Sequence, residues 1–372
     1  MIPFLQLGPG EDADAVRGAI DRVLKRGWFV LGPELEAFER DFAGACRAGR
    51  AVGVGTGTDA LAIALRTLQI GPGDEVVTTP LSAAYTALAI MMVGATPVFA
   101  DIDPVRLTLD PGAAAAAVTP RTAALLPVHL YGQPADMPAL AAVAARHSLA
   151  IVEDCCQAHL ATCGDRPVGS FGAAAAYSFY PTKNLGALGD GGALTTNDDA
   201  LADRARRLRN GGQTDRYHHA EFGVNSRLDE LQAAVLHARL PYLPRWTARR
   251  REIAREYRAA LREVGTIDVP REMDAGHVYH LFPVLSAHRA SVQSHLRALG
   301  IETLIHYPIP IPRQPALAGQ TSAECPAAAR VCQQVFSLPL HPALEPRAIA
   351  AVASGLASAR VSAADRERAA EH

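Results

Sequence analysis

Apolar and polar positions change their spacing several times along the chain. Residues 34–42 (ELEAFERDF) repeat at the helical period behind Gly32 and Pro33, a glycine turn and a proline suited to a first helical position. With the residues before it, this stretch predicts an N-terminal arm and one or two helices up to about residue 47. Short β-rich runs then recur at 51–54, 75–79, 96–100, 122–128, 150–153, 174–179 and 192–196. Alanine-rich stretches with helical spacing, such as 58–68 and 139–147, separate several of them. This alternation predicts an α/β fold built on a mostly parallel, seven-stranded sheet, which places ligands beyond the carboxyl ends of its strands. A long helical stretch to about residue 264, interrupted near Pro241 and Pro244, reads as a connection between domains. Strand-like 278–284, helical 290–299 and a proline-broken segment 306–313 then predict a smaller α+β domain. The expected division is 1–245 for a large domain with its arm, 246–360 for the small domain and 361–372 for a frayed polar tail.

Composition narrows the function classes. In 372 residues 49% are hydrophobic, 20% are charged and the net charge is −2, so no basic surface calls for nucleic acid. The first residues show no basic segment followed by an apolar core, and runs such as 83–93 are too short to span a bilayer; a cytoplasmic location without membrane contact is expected. Cys46, Cys155, Cys156, Cys163, Cys325 and Cys332 form no paired framework and read as reduced thiols. Cys155, Cys156, His159 and Cys163 lie close in sequence, but vicinal cysteines without a second ligand pair do not make a zinc pattern, so no metal is expected. Lysine is the anomaly: of 36 basic residues only Lys25 and Lys183 are lysines. Lys25 precedes Gly27 where any basic residue suits a helix end. Lys183 sits in a glycine-rich segment (177–192) poor in other charges, where a primary amine can lose its proton and condense with an aldehyde as a guanidinium cannot.

Three further features point the same way. At 53–65 (GVGTGTDALAIAL) a strand passes through small residues into a helix whose first amides, with the Thr56 and Thr58 hydroxyls, can hold one phosphate; an ordinary threonine-capped turn fits equally well. The spacing is not that of a dinucleotide fingerprint. At 149–159 (LAIVEDCCQAH) a buried strand ends in two carboxylates that point oppositely; Asp154 can face a protonated pyridine nitrogen or cap a helix, and Glu153 is then structural. Ser178 lies five residues before Lys183, placed to hold a phosphate while the amine reaches the ring.

Together GTGTDAL (55–61), PVHLYGQ (127–133), EDCCQAH (153–159), SFYPTKNLG (178–186), GDGG (189–192) and GVNSRLD (223–229) resemble the DegT/DnrJ/EryC1/StrS aminotransferases over nearly the full length. The resemblance implies the fold type I of pyridoxal-phosphate-dependent transferases and a homodimer with shared active sites. It implies transfer of nitrogen from L-glutamate to a nucleotide-linked keto sugar in amino-sugar biosynthesis. By motif, Lys183 is the Schiff-base and proton-transfer lysine, Asp154 the pyridinium partner and Gln157 a neighbour of the ring hydroxyl. Gly57, Thr58 and Ser178 hold the phosphate, and Asn225 reaches the phosphate of the other subunit's cofactor. Relatives with histidine in place of the lysine are dehydratases, a branch that Lys183 argues against.

Two departures stand out. Where the family stacks an aromatic residue on the ring this chain has Ala83, with Tyr85 a candidate replacement or a packing residue. The HYPIPIPRQ segment (306–314) resembles the substrate segment but carries Pro312 where histidine is common. TLIHY (303–307) and HLF (280–282) lean towards a dTDP-linked 3-keto-6-deoxy sugar, with 4-keto sugars and inososes as alternatives; Arg227, His306 and Tyr307 are candidate substrate contacts. A nicotinamide oxidoreductase and a non-catalytic pyridoxal-phosphate-binding regulator are the readings from other classes.

Overall fold

The fold is that of a computed structural model, which describes residues 1–317 and 324–359; the tail predicted for 361–372 lies outside them. Seven strands form the central sheet: β1 (Arg50–Val54), β2 (Glu75–Thr78), β3 (Thr96–Phe99), β4 (Thr122–Leu126), β5 (Ala150–Asp154), β6 (Ala174–Ser178) and β7 (Gly192–Thr196). Their order is β1-β7-β6-β5-β4-β2-β3, with only β7 running against its neighbours. The predicted mostly parallel sheet is therefore present, and the reversed strand has a local cause. The loop carrying Lys183 returns the chain directly beside β6, with no crossover helix between them.

Helices cover both faces, as parallel sheets require. On one side α3 (Gly57–Thr67) buries Leu61, Ile63 and Leu65 against Val52, Val76, Leu126 and Val152 of the sheet. On the other, α2 (Pro33–Cys46) sends Phe38 and Phe42 against Tyr177 and Phe179, with edge-on ring contacts at 5.1–5.3 Å.

The predicted helical connection is Glu230–Arg239, a 3₁₀ turn Leu240–Tyr242 that holds Pro241, and Leu243–Ala260 with Pro244 in its first turn. This last helix runs through the predicted boundary at 245/246. Leu243 belongs to a core of the large domain, whereas Ile253, Ala254 and Tyr257 pack with Phe282, Phe336 and Val352 in the small one. The small domain's strands are β8 (Phe282–Leu285) and β9 (Val335–Leu338), an antiparallel pair.

The predicted strand 278–284 is shorter than its apolar pattern suggests. Val278 donates to the Gly132 carbonyl and accepts from the Asn184 amide, and Tyr279 has φ 46°, so this stretch docks onto the large domain before β8 begins. A shared apolar cluster containing Phe4, Leu81, Phe99, Tyr131, Leu281 and Val335 joins the two halves. Among the described residues no helix is long and apolar enough to cross a membrane.

Candidate active site

The carboxyl ends of β1, β5 and β6 converge on one point. β1 leads into α3, where the Thr56 hydroxyl caps the helix by accepting from the Asp59 amide at 3.0 Å. That cap leaves the amides of Gly57 and Thr58 without partners from the helix ladder, at a helix start that lies against the end of β6. The approach is close: a Cβ on Gly57 would stand 2.8 Å from both the Ser178 Cβ and the Cys156 Sγ. Only glycine lets helix start and strand end meet here. Strand alternation turns Tyr177 into the aromatic core and Ser178 toward α3.

Asp154 closes β5 with its carboxylate buried. Oδ2 accepts from the Thr86 hydroxyl at 2.8 Å and Oδ1 from the Cys156 amide at 3.1 Å. No helix follows, so the helix-capping alternative is not realised. Glu153 points to the opposite side, where it accepts amides from Gly169, Phe171 and Gly172 at 2.7–2.9 Å and lies 3.1 Å from His129. Because His129 Nδ1 accepts from the Ala135 amide, Nε2 carries the proton and donates to Glu153. Glu153 is a structural carboxylate that holds the turn before β6.

The loop after β6 is held at several points. The Lys183 amide donates to the Tyr180 carbonyl at 2.8 Å, the Ala187 amide to Phe179 at 2.7 Å, and Arg239 to the Gly186 carbonyl at 2.6 Å. Lys183 is half-buried. Burial pushes its amine below the ordinary lysine range, while the negative fields of nearby Cys156 and Asp154 act in the opposite sense.

Gln157 ties the site to the small domain. Its Oε1 accepts from the Tyr131 amide at 2.7 Å and its Nε2 donates to the Tyr307 hydroxyl at 3.0 Å. Tyr131 in turn donates through its hydroxyl to the His306 carbonyl. The His306 ring stacks on Phe4 of the arm at 5.7 Å and bonds Ser337 at 3.0 Å. Burial, with the charge of Lys183 adding to it, lowers the His306 pKa to about 4, so it is neutral at pH 7; burial raises the Tyr307 hydroxyl to about 12.

The remaining sequence candidates lie further out. Ser226 accepts from the Gly55 amide at 2.9 Å and donates to Asp59 at 2.8 Å, which fixes the 225–227 segment beside α3. Asn225, the next position in that segment, is exposed. Arg227 is engaged by Asn210 at 2.9 Å. Tyr85 opens the helix Tyr85–Met92 and is 64% exposed. Thr86, the residue that does reach Asp154, had no signal in the sequence: it is a lone hydroxyl in an apolar helix. Tyr131, Ser226 and Ser337 were missed for the same reason, since only the fold gives them partners.

His159 lies on the inner side of the site with both ring nitrogens buried and unpartnered, 5.7 Å from the Tyr177 and Phe179 rings. Burial first, then the Lys183 charge, lowers its pKa to about 3. The unfolded chain therefore binds a proton near pH 6.5 that the folded chain refuses, so stability falls as pH drops from 6.5 towards 3. His159→Phe should remove from that slope about 1 kcal/mol per pH unit averaged between pH 7 and 5, read as urea midpoints. An unchanged slope would show that His159 titrates normally.

The pattern of the DegT/DnrJ/EryC1/StrS aminotransferase family matches residues 11–357. The dTDP-3-amino-3,4,6-trideoxy-α-D-glucose transaminase of Streptomyces venezuelae is 49% identical, over 92% of this chain and 92% of that protein. The crystal structure of S. venezuelae DesV in complex with a ketimine intermediate superposes with a TM-score of 0.94 at 47% identity, covering 97% of this chain and 99% of that one. NtdA from Bacillus subtilis, solved with bound cofactor PMP, superposes with a TM-score of 0.90 at 30% identity, covering 95% and 84%.

Proposed function

The chain belongs to the DegT/DnrJ/EryC1/StrS aminotransferase family, and from that premise we propose that it uses pyridoxal 5′-phosphate to move the amino group of L-glutamate onto a nucleotide-linked keto sugar, in first place a dTDP-linked 3-keto-6-deoxyhexose. The observation that carries the reading is the meeting of Gly57, Ser178, Asp154 and Lys183 at the carboxyl ends of three strands. The donor set fits the cofactor. A helix start that only glycine permits offers amides and hydroxyls for a phosphate, and a buried carboxylate fixed by Thr86 faces the same side as a half-buried amine.

Pyridoxal phosphate, when bound, supplies an aldehyde that condenses with amines and a pyridinium ring that withdraws electrons from the donor's α-carbon. Gly57, Thr58 and Ser178 would hold its phosphate, Asp154 its ring nitrogen and Gln157 its ring hydroxyl. Lys183 as a neutral amine would accept the proton of the donor's α-carbon on Nζ and pass it to the carbon that carried the cofactor's aldehyde. Its burial favours the neutral amine that this step needs. Thr86 keeps Asp154 in one orientation, and His306, next to Tyr307, is neutral at pH 7.

Exposed Asn225, backed by the Ser226 anchor, supports a homodimer in which each chain completes the phosphate site of its partner. Tyr85, exposed at the rim, takes the ring-stacking part only if the partner chain turns it inward; Ala83 otherwise leaves that face without an aromatic residue. The relatives' names support a 3-keto sugar, and the first of them names a dTDP-linked product. Incubation with glutamate and a panel of 3-keto and 4-keto nucleotide sugars and an inosose tests this. Release of 2-oxoglutarate should be fastest with the dTDP-3-keto-6-deoxy member, and a preference for a 4-keto sugar or an inosose would overturn the substrate assignment.

A further inference from the structure

The arm that brings Phe4 to His306 continues past the lysine loop and forms one wall of an open-sided cavity of about 350 Å³. Its walls are the arm, Thr182 and Lys183 of the loop, Trp246 and Arg250 of the helix Leu243–Ala260, and His341 just beyond β9. The charges in this wall are not balanced. Asp12 is bound by Arg239 at 2.7 Å, and Glu11 by Arg245 at 2.6 Å and the Trp246 indole at 2.7 Å. Arg250, only 5% exposed, has no carboxylate partner among the described residues. Its Nη1 donates to the carbonyls of Tyr279, His280 and Leu340 at 3.0–3.3 Å, and its buried Nε has no partner. His341 is equally buried, and both of its ring nitrogens are unpartnered. A buried guanidinium without a counter-ion and a buried imidazole without a bond are costly unless something else satisfies them.

We propose that this cavity binds a carboxylate of the dicarboxylic amino donor, with Arg250 and His341 as its anion-binding residues. The inference rests on the aminotransferase reading above, because the donor's amino group must reach Lys183 and Lys183 forms part of the same wall. Size separates the two substrates. The cavity stands at the small end of the roughly 300–1,000 Å³ range of ligand pockets, which suits a five-carbon dicarboxylate and not a whole nucleotide-linked sugar. Arg250 is anchored by three backbone carbonyls, so its charge is held in place before the ligand arrives.

Glutarate, which carries both carboxylates but neither an amino nor a keto group, is the probe. Trp28→Phe leaves Trp246 the sole indole of the chain, so ligand entry is read as a change in its emission, with or without cofactor. Glutarate should produce a saturable change. Arg250→Lys should weaken binding about tenfold or more and His341→Asn about three- to tenfold, as expected for a charged and a neutral hydrogen bond. If Arg250→Lys does not fold, His341→Asn carries the test. Absence of glutarate binding, binding that neither substitution weakens, or an Arg250-dependent response to dTDP in place of glutarate would overturn the proposal. Failure of the aminotransferase reading itself appears separately, as a holo-protein without a glutamate-sensitive visible absorbance band.

Discussion

Lys183→Ala should abolish amino transfer, with a loss of at least roughly 10²–10⁴-fold from the missing proton-transfer group alone. Lys183→Arg should be just as inactive. Arginine keeps the positive charge but can neither release a proton near neutral pH nor condense with an aldehyde. Borohydride reduction of the holo-protein followed by peptide mapping reads the assignment directly: the cofactor mass should appear on the Lys183 peptide and disappear in both variants. A reduced adduct on the Lys25 peptide instead would refute it. The scarcity of lysine makes a second readout unusually clean. In the cofactor-free chain a limiting amine-reactive reagent has two lysines to choose between, one exposed on helix Ala13–Arg26 and one half-buried beside Asp154. Because burial lowers the Lys183 pKa, its neutral fraction grows at a lower pH than that of an ordinary lysine. Labelling of Lys183 should therefore rise at lower pH than labelling of a free lysine side chain in the same solution, and a later rise would show that Asp154 outweighs burial.

Asp154→Asn should lower turnover by roughly 10²–10³-fold, the range for removing one preorganised electrostatic partner of a reacting group. Asparagine preserves the shape: its Oδ1 can still accept from the Cys156 amide while its Nδ2 donates to the Thr86 hydroxyl, which can rotate to accept, so loss of fold is not the expected cause. The charge that would keep the ring nitrogen protonated is what disappears. Thr86→Val separates orientation from charge. It removes the 2.8 Å bond and leaves the carboxylate, and should cost about tenfold, in line with a hydrogen bond to a charged group worth about 1.5 kcal/mol. The two effects share one group, so the double variant should be little worse than Asp154→Asn alone. Full additivity would mean that Thr86 acts on something other than Asp154.

Much of this molecule is readable along the chain because it rests on local chemistry. All seven strands of the central sheet were marked by short β-rich runs, and helix Gly57–Thr67 by its glycine-threonine start. The separation of Asp154 from Glu153 followed from strand alternation, and the structure sends them to opposite sides as that rule requires. Lys183 stood out through composition alone. Elsewhere a neighbour overrides the local pattern. The apolar run 278–284 has the pattern of one strand, but Gly132 and Asn184 bond Val278, and the ladder starts only at Phe282.

Other features have no local signature. Thr86 becomes the holder of Asp154, and Ser226 the anchor of the Asn225 segment, only when residues 68 and 171 positions away arrive beside them. Tyr131 and Gln157 become a bridge to Tyr307 only because the small domain folds back over the strand ends. Arg250 reads in the sequence as one of many arginines on a helical connection, and its lack of a carboxylate partner among the described residues is set by the tertiary packing around the cavity. The sheet, the helix start proposed for the phosphate and the isolated lysine were all legible along the chain, since each depends on residue type and short-range spacing. Which hydroxyls, rings and cations surround that amine was decided by tertiary structure alone, because burial and long-range contact set their partners and their protonation.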